Sequence, residues 1–233
     1  MSDDHAALDI GRDWCRDIAN RPAKEAIAKA VAARARSGEV IGAGSGSTSF
    51  LTVVALGQRV RTEKLDLSVV PTSLEIQYAA ESAGLHVHIS VPARIDWCFD
   101  GADEVDADQR MIKGRGGALY RERQVLLATG HRIIVADASK SVTRLGSKHP
   151  VPVEVEAPWA RRAAHALRDL PHVEGVALRQ AVAKDGPVIT ESGGVLFDVH
   201  FSAIDADAQA RIMAIPGVRG TGLFVGFAFE RIE

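Results

Sequence analysis

From residue 22 onward, short apolar runs alternate with segments of helical period, and this alternation restricts the chain to very few folds. Pro22 suits a helix first turn, and Ile27, Ala30, Val31 and Ala35 recur at helical spacing up to Gly38. Val40-Ile41 reads as a strand running into Gly42-Ala-Gly44-Ser45-Gly46-Ser47-Thr48, and a second helix then turns Phe50, Leu51, Val54 and Ala55 inward. A strand over 67–70, a helix over 73–83 and strands over 86–89, 97–99 and 132–135 continue the pattern. Such a series predicts a doubly wound α/β fold, a mostly parallel, Rossmann-like sheet with helices on both faces. Ligands of these sheets bind beyond the carboxyl ends of the strands. Segments 44–48, 100–103 and 137–140 all follow strands at that end.

The texture changes after about Leu145. Strands over 152–155, 176–182, 187–190, 195–201 and 218–224 are interleaved with helices over 159–170 and 206–214, and Ser192-Gly193-Gly194 makes a turn. This order, close to βαββαβ with one extra short strand, predicts a smaller, ferredoxin-like α+β domain with an antiparallel sheet. Residues 227–232 are expected to rejoin the large sheet. The expected division is an N-terminal extension over 1–21 with a short helix near 13–18, a Rossmann-like catalytic domain over 22–145 plus 225–233, and an α+β domain over 146–224.

Bulk properties exclude several classes. With 46% hydrophobic and 25% charged residues the composition is that of a globular protein, not a disordered one. A formal net charge of −2 offers no basic footprint, so neither nucleic acid nor an anionic membrane is an expected partner. No apolar run approaches the roughly 20 residues of a membrane helix. The acidic start Met1-Ser-Asp-Asp4-His5 lacks a secretory pattern. Cys15 and Cys98 stand far apart, as reduced thiols of a cytoplasmic protein would, and Cys98 reads as a small buried hydrophobe. The histidines form no ligand or triad spacing, and His86 and His88 read as structural. Trp14, Trp97 and Trp159 are scattered and read as core or interface residues.

Candidate chemistry concentrates in a few loops. Gly44-Ser45-Gly46-Ser47-Thr48, between a strand and a helix, offers freed amides, hydroxyls and a helix N-terminus to a phosphate; the alternative is a glycine turn capped by Ser47 or Thr48. Asp100-Gly101-Ala102-Asp103 sets two carboxylates around a tight turn, with turn chemistry the alternative, above all for neighbouring Glu104 and Asp106. Lys113-Gly114-Arg115-Gly116-Gly117 brings an ammonium and exposed amides toward an oxyanion, or is a plain surface loop. Glu122 lies on the next helix, where spacing alone favours a solvated charge. Lys140, after Ala136-Asp137-Ala-Ser139, and Lys24 are further cations, with a helix cap and a surface lysine as their plainer readings. Paired carboxylates beside a cation suit proton transfer and stabilisation of an oxyanion, and the set lacks metal-ligand spacing.

Read in order, Gly44-Ser-Gly-Ser-Thr48, Pro71-Thr72-Ser73, Asp100-Gly-Ala-Asp-Glu104, Lys113-Gly-Arg-Gly-Gly117, Arg121-Glu122, Ala136-Asp-Ala-Ser-Lys140, Pro150-Val-Pro-Val-Glu-Val155 and Ile215-Pro-Gly-Val218 resemble the A-type ribose-5-phosphate isomerases over about residues 22–232. The resemblance implies interconversion of ribose 5-phosphate and ribulose 5-phosphate through an enediolate, without metal or organic cofactor, by a homodimer or homotetramer. It implies Glu122 as general base between C2 and C1, Asp100 as the carboxylate of ring opening and hydroxyl proton transfer, Lys113 as the cation on the enediolate and Asp103 as an acid that helps place it. Substrate and phosphate would be held by Lys24, Ser45, Gly46, Ser47, Thr48, Gly101, Ala102, Gly114, Arg115, Gly116 and Lys140.

The chain departs from the family pattern in four places. Ser45 stands where threonine is usual, Arg115 where glycine is usual and Arg123 where lysine is usual, and Ser192-Gly193-Gly194 replaces the more usual Asn-Gly. Arg115 adds bulk and charge near the substrate, so an isomerase of another phosphorylated aldose is one alternative; a non-catalytic sugar-phosphate sensor is the other.

Overall fold

The computed structural model describes residues 18–233. Trp14, Cys15 and nearly all of the short helix expected near 13–18 lie outside the described residues. Among the described residues a six-stranded sheet forms the centre. In chain order its strands are β1 (Glu39–Ala43), β2 (Leu67–Pro71), β3 (His86–Val87), β4 (Trp97–Gly101), then β7 (Arg132–Val135) and β13 (Glu230–Ile232). Their spatial order is β13-β7-β4-β1-β2-β3, and every neighbouring pair is parallel. Helices α1 (Arg21–Ala32), α2 (Ser47–Glu63), α3 (Leu74–Ser82) and α4 (Leu119–Leu127) connect and cover it. Side chains alternate between faces along a strand. Ile41, Ala43, Trp97, Phe99, Ile133 and Val135 therefore pack in one buried cluster with α1 to α3, and Cys98 and Ile134 in another with α4. A parallel sheet buried on both faces needs such apolar strands.

Gly42 decides how closely α4 can approach. A Cβ there would stand 2.4 Å from Val125 Cγ1 and 2.7 Å from Cys98 Cβ. Without one, the helix carrying Glu122 settles directly on the middle of the sheet.

The second layer is a four-stranded antiparallel sheet of β8 (Val151–Val155), β9 (Val173–Leu178), β10 (Val195–Phe201) and β11 (Val218–Thr221), in the order β11-β8-β10-β9. Helices α5 (Ala160–Arg168) and α6 (Ala208–Met213) pack against it around Val153, Leu167, Val199 and Ile212. Chain order and strand order together make this unit ferredoxin-like, as the βαββαβ pattern predicts. A shared cluster of Met111, Leu119, Leu196 and Phe224 joins it to the large sheet.

Several local expectations are corrected. On α1 the inward residues are Ala28, Val31 and Ala32; Ala30 is exposed, and the helix stops at Ala32, short of Gly38. On α2, Phe50 and Leu51 are buried as expected, but Val54 is 42% exposed and Val53 is buried instead. The strand over 86–89 shrinks to a two-residue edge, with the His88 ring 3.1 Å from Ser68 Oγ. The strand over 187–190 makes only isolated bridges, Gln180 to Pro187 and Ile189 to Val195. The strand over 218–224 divides at Gly222. Its first part pairs with β8, while β12 (Leu223–Phe224) joins β5 (Glu104–Val105) and β6 (Met111–Ile112) in a small third sheet absent from the sequence-based expectation. Strands of two residues carry no periodic signal.

Trp97 is buried and donates its indole N–H to Glu39 Oε2 at 2.9 Å, and Trp159 packs over Gly217. Burial pushes the Cys98 thiol up to about 12, consistent with an inert core residue. Among the described residues no helix is long and apolar enough to cross a membrane.

Candidate active site

The carboxyl ends of β1, β4 and β7, the end of β6 and the first turn of α4 surround one cleft of about 440 Å³. Every residue singled out from the sequence as catalytic or binding lines it, from Lys24 on α1 to Lys140 beyond β7.

Three charged side chains meet at its floor. Lys113 Nζ lies 2.9 Å from Asp100 Oδ2 and 3.2 Å from Glu122 Oε2, and it donates to the Gly101 carbonyl. Lys113 and Asp100 are 2% exposed and Glu122 is 3% exposed, so neither a surface loop nor a solvated helix charge describes them. Charges this deeply buried persist only when paired. The two carboxylate oxygens sit at ion-pair distance from the ammonium without a well-aligned hydrogen bond, and so retain acceptor capacity.

Burial raises Asp100 to about 7, Glu122's charge adds to the rise, and Lys113 opposes it. Burial alone would lower the Lys113 ammonium, but Asp100 and then Glu122 outweigh it and hold Lys113 above its ordinary value. The floor is therefore a fixed cation flanked by two carboxyl groups, one of which gains and loses its proton near neutrality.

Local structure places each group. Asp100 is the penultimate residue of β4, and its Oδ1 accepts the Gly101 N–H at 2.7 Å. Gly44 makes room for it, since a Cβ there would lie 2.2 Å from the Asp100 carboxyl carbon. Lys113 follows β6, and its N–H donates to Gly222 O at 3.0 Å, where the chain crosses between sheets. Glu122 lies in the first turn of α4, where the helix dipole favours a carboxylate. The Ser45 hydroxyl donates to Glu122 Oε1 at 2.6 Å.

A second, cationic end lies at the start of α2. Its N-cap is Gly46 and no side chain caps it, so the helix-cap alternative for Ser47 and Thr48 does not apply. Lys24 Nζ donates to Ser47 Oγ at 3.0 Å. Lys140 ends a single 3-10 turn, Ala138–Lys140, in which Asp137 accepts the Ser139 N–H at 2.8 Å, as its capping alternative predicted. Uncapped amides, a hydroxyl and two lysines suit a phosphate.

The remaining residues divide by role. Asp103 is half-buried and its Oδ2 accepts the Arg115 N–H at 3.3 Å. Glu104 and Asp106 are structural: Glu104 accepts the N–H groups of Gly146, Lys148 and His149, and Asp106 accepts those of Asp108 and Arg110. Arg123 donates to the Thr221 and Leu223 carbonyls beneath the site, and burial pulls its guanidinium down to about 10. The Arg115 side chain is exposed. Glu191 also lines the cleft, its Oε2 accepting the Leu74 N–H at 3.1 Å, and sequence reasoning passed over it. Its one sequence signal is its place just before the Ser192-Gly193-Gly194 turn. Among the described residues no group of three His, Cys, Asp or Glu side chains is placed to hold a metal ion.

Comparison with known proteins places the chain in a family. The family model of ribose 5-phosphate isomerase A (phosphoriboisomerase A) matches residues 68–232. Ribose-5-phosphate isomerase A of Thermosynechococcus vestitus is 41% identical over 220 residues, covering 91% of each chain. That of Methanothermobacter thermautotrophicus is 38% identical over 193 residues, covering 82% of this chain and 84% of its own. The ribose 5-phosphate isomerase A structure from Methanocaldococcus jannaschii superposes with a TM-score of 0.84 at 34% identity, covering 89% of this chain and 92% of that one. A D-ribose-5-phosphate isomerase solved with phospho-erythronic acid gives 0.84 at 33% identity, covering 92% and 96%. Alike in sequence and backbone along most of its length, the chain belongs to the ribose 5-phosphate isomerase A family.

Proposed function

We propose that this chain interconverts D-ribose 5-phosphate and D-ribulose 5-phosphate by proton transfer through an enediolate. The observation that carries the reading is Lys113, buried between Asp100 and Glu122 on the floor of a cleft whose far end is built for an anion. The phosphate rests on the start of α2 with Lys24, Ser47, Thr48 and Lys140. That anchor sets the sugar's C1 and C2 over the floor.

Asp100, holding its proton near neutrality, exchanges it with the sugar hydroxyls during ring opening and enediolate formation. Glu122 removes the C2 proton and protonates C1, its carboxyl proton exchanging with solvent in between. Charge developing on the oxygens of C1 and C2 falls beside Lys113, whose ammonium is already in place and needs no rearrangement. Asp103 and the amides of the 113–117 loop flank the same oxygens. Residues 22–145 with 225–233 form the catalytic unit in this reading, and residues 146–224 hold its loops.

The test is isomerisation in heavy water with a chelator present. Ribulose 5-phosphate carrying deuterium at C1 is the expected product; product without solvent hydrogen at C1 would overturn proton transfer through solvent-exchanging Glu122. Phospho-erythronic acid, bound by one related enzyme, is expected to compete with the sugar.

One observation favours a second reading. Arg115 presents an exposed guanidinium at the cleft, where it would meet a longer or differently charged sugar. Turnover of four-, five- and six-carbon aldose phosphates decides, and the five-carbon sugar is expected to dominate. We also propose a cytoplasmic homodimer or homotetramer, which would cover the exposed apolar side chains Val182 and Ile189; light scattering of the full chain tests the assembly.

A further inference from the structure

Behind the catalytic cleft lies a second cavity of about 310 Å³, and Asp103 and Arg115 line both spaces. Arg179, just past the end of β9, reaches across from the antiparallel unit. Its Nε donates to Asp198 Oδ2 on β10 at 2.8 Å, its NH2 donates to Asp198 Oδ1, and its NH1 donates to the Arg115 carbonyl at 2.5 Å.

We propose that Arg179 is a positioning residue for the isomerisation, acting as a strut that holds the Arg115 peptide and, through it, Asp103 and the 113–117 loop. A guanidinium is planar, and two bonds to one carboxylate fix its plane. The third donor then points in a set direction, which a flexible ammonium would not provide. Arg115 is gripped from both sides, its N–H by Asp103 at 3.3 Å and its carbonyl by Arg179. Arg179 and Asp198 are both only 19% exposed and joined by two bonds, so removing either partner also costs stability, and the strut is tested by a readout at the cleft besides stability. The departure of Arg115 from glycine is immaterial to this contact, which uses only its backbone. The proposal rests on the isomerase reading for its kinetic arm alone.

The experiment compares the full-length wild type with Arg179→Ala, Arg179→Lys, Asp198→Asn and Arg211→Ala. The last removes another arginine–aspartate pair of the same unit, with Asp205, neither of which lines the cleft. For Arg179→Ala, kcat is expected to fall about 10- to 100-fold with KM within about threefold, because small misplacements of reacting groups are costly in rate. Amide exchange across 113–117 should quicken about tenfold without substrate. Arg179→Lys should recover only part of the rate, and Arg211→Ala should change neither readout. If Arg179→Ala fails to fold, Asp198→Asn, which keeps the side-chain size, carries the same comparison. A folded variant with kcat within twofold of wild type, or with unchanged loop exchange, overturns the strut. Wild type inactive on ribose 5-phosphate would instead defeat the isomerase reading, and loop exchange would still decide the role of Arg179.

Discussion

Ser45 donates its hydroxyl to Glu122 Oε1 at 2.6 Å, tying the loop after β1 to the first turn of α4 across 77 positions of sequence. The contact orients one carboxylate oxygen of the proposed base and leaves the other toward Lys113. A hydrogen bond to a charged group contributes about 1.5–3 kcal/mol. Ser45→Ala is therefore expected to lower kcat by roughly tenfold or more, whereas Ser45→Thr, which keeps the hydroxyl, should stay within about threefold. Steady-state kinetics of the two variants side by side checks this.

Glu122→Gln keeps the size of the side chain and removes its basicity. A rate loss of at least ~100-fold is expected, with KM little changed, since a general base contributes about that much to the reacting step. Near-wild-type turnover would move the base elsewhere.

Lys113→Met leaves Asp100 and Glu122 buried without their counter-charge. Removing one partner of a buried pair costs about 3–5 kcal/mol. Urea denaturation should register a loss of that order unless a carboxyl group takes up a proton. In that case the loss shrinks as the pH is lowered, which is itself diagnostic.

Asp100 makes stability depend on pH. Its folded value of about 7 lies above its ordinary 3.8, so between these limits the folded chain holds a proton that the unfolded chain has released. The stabilisation is complete below the lower limit, falls as pH rises and is lost beyond the upper one. Wild type should thus lose stability between about pH 4 and 7 relative to Asp100→Asn, which has no such proton to bind. Parallel slopes for the two proteins across that range would contradict the assignment.

The strand–helix alternation was readable because strands buried on both faces are apolar along their whole length, and helices announce themselves by period. The antiparallel unit was readable in its order, from β8 through β11, although β9 is only partly buried and the expected strand over 187–190 makes only isolated bridges. Local signals failed where elements were too short or where phase mattered. The two-residue strands of the third sheet leave no pattern, and on α2 helical spacing does not tell buried Val53 from exposed Val54.

In the site, the candidate residues were nameable because glycine loops, carboxylates and a lysine gather after strand ends, and their order along the chain repeats that of a known family. Residue type and order belong to the chain itself. The burial of Glu122 and Lys113, the bond from Ser45, the place of Glu191 and the grip of Arg179 on Arg115 do not. They arise where segments tens of residues apart are pressed together, around Gly42, Gly44 and the crossing at Gly222. Only packing decides whether a charge faces water or another charge, and only a buried charge must find its partner.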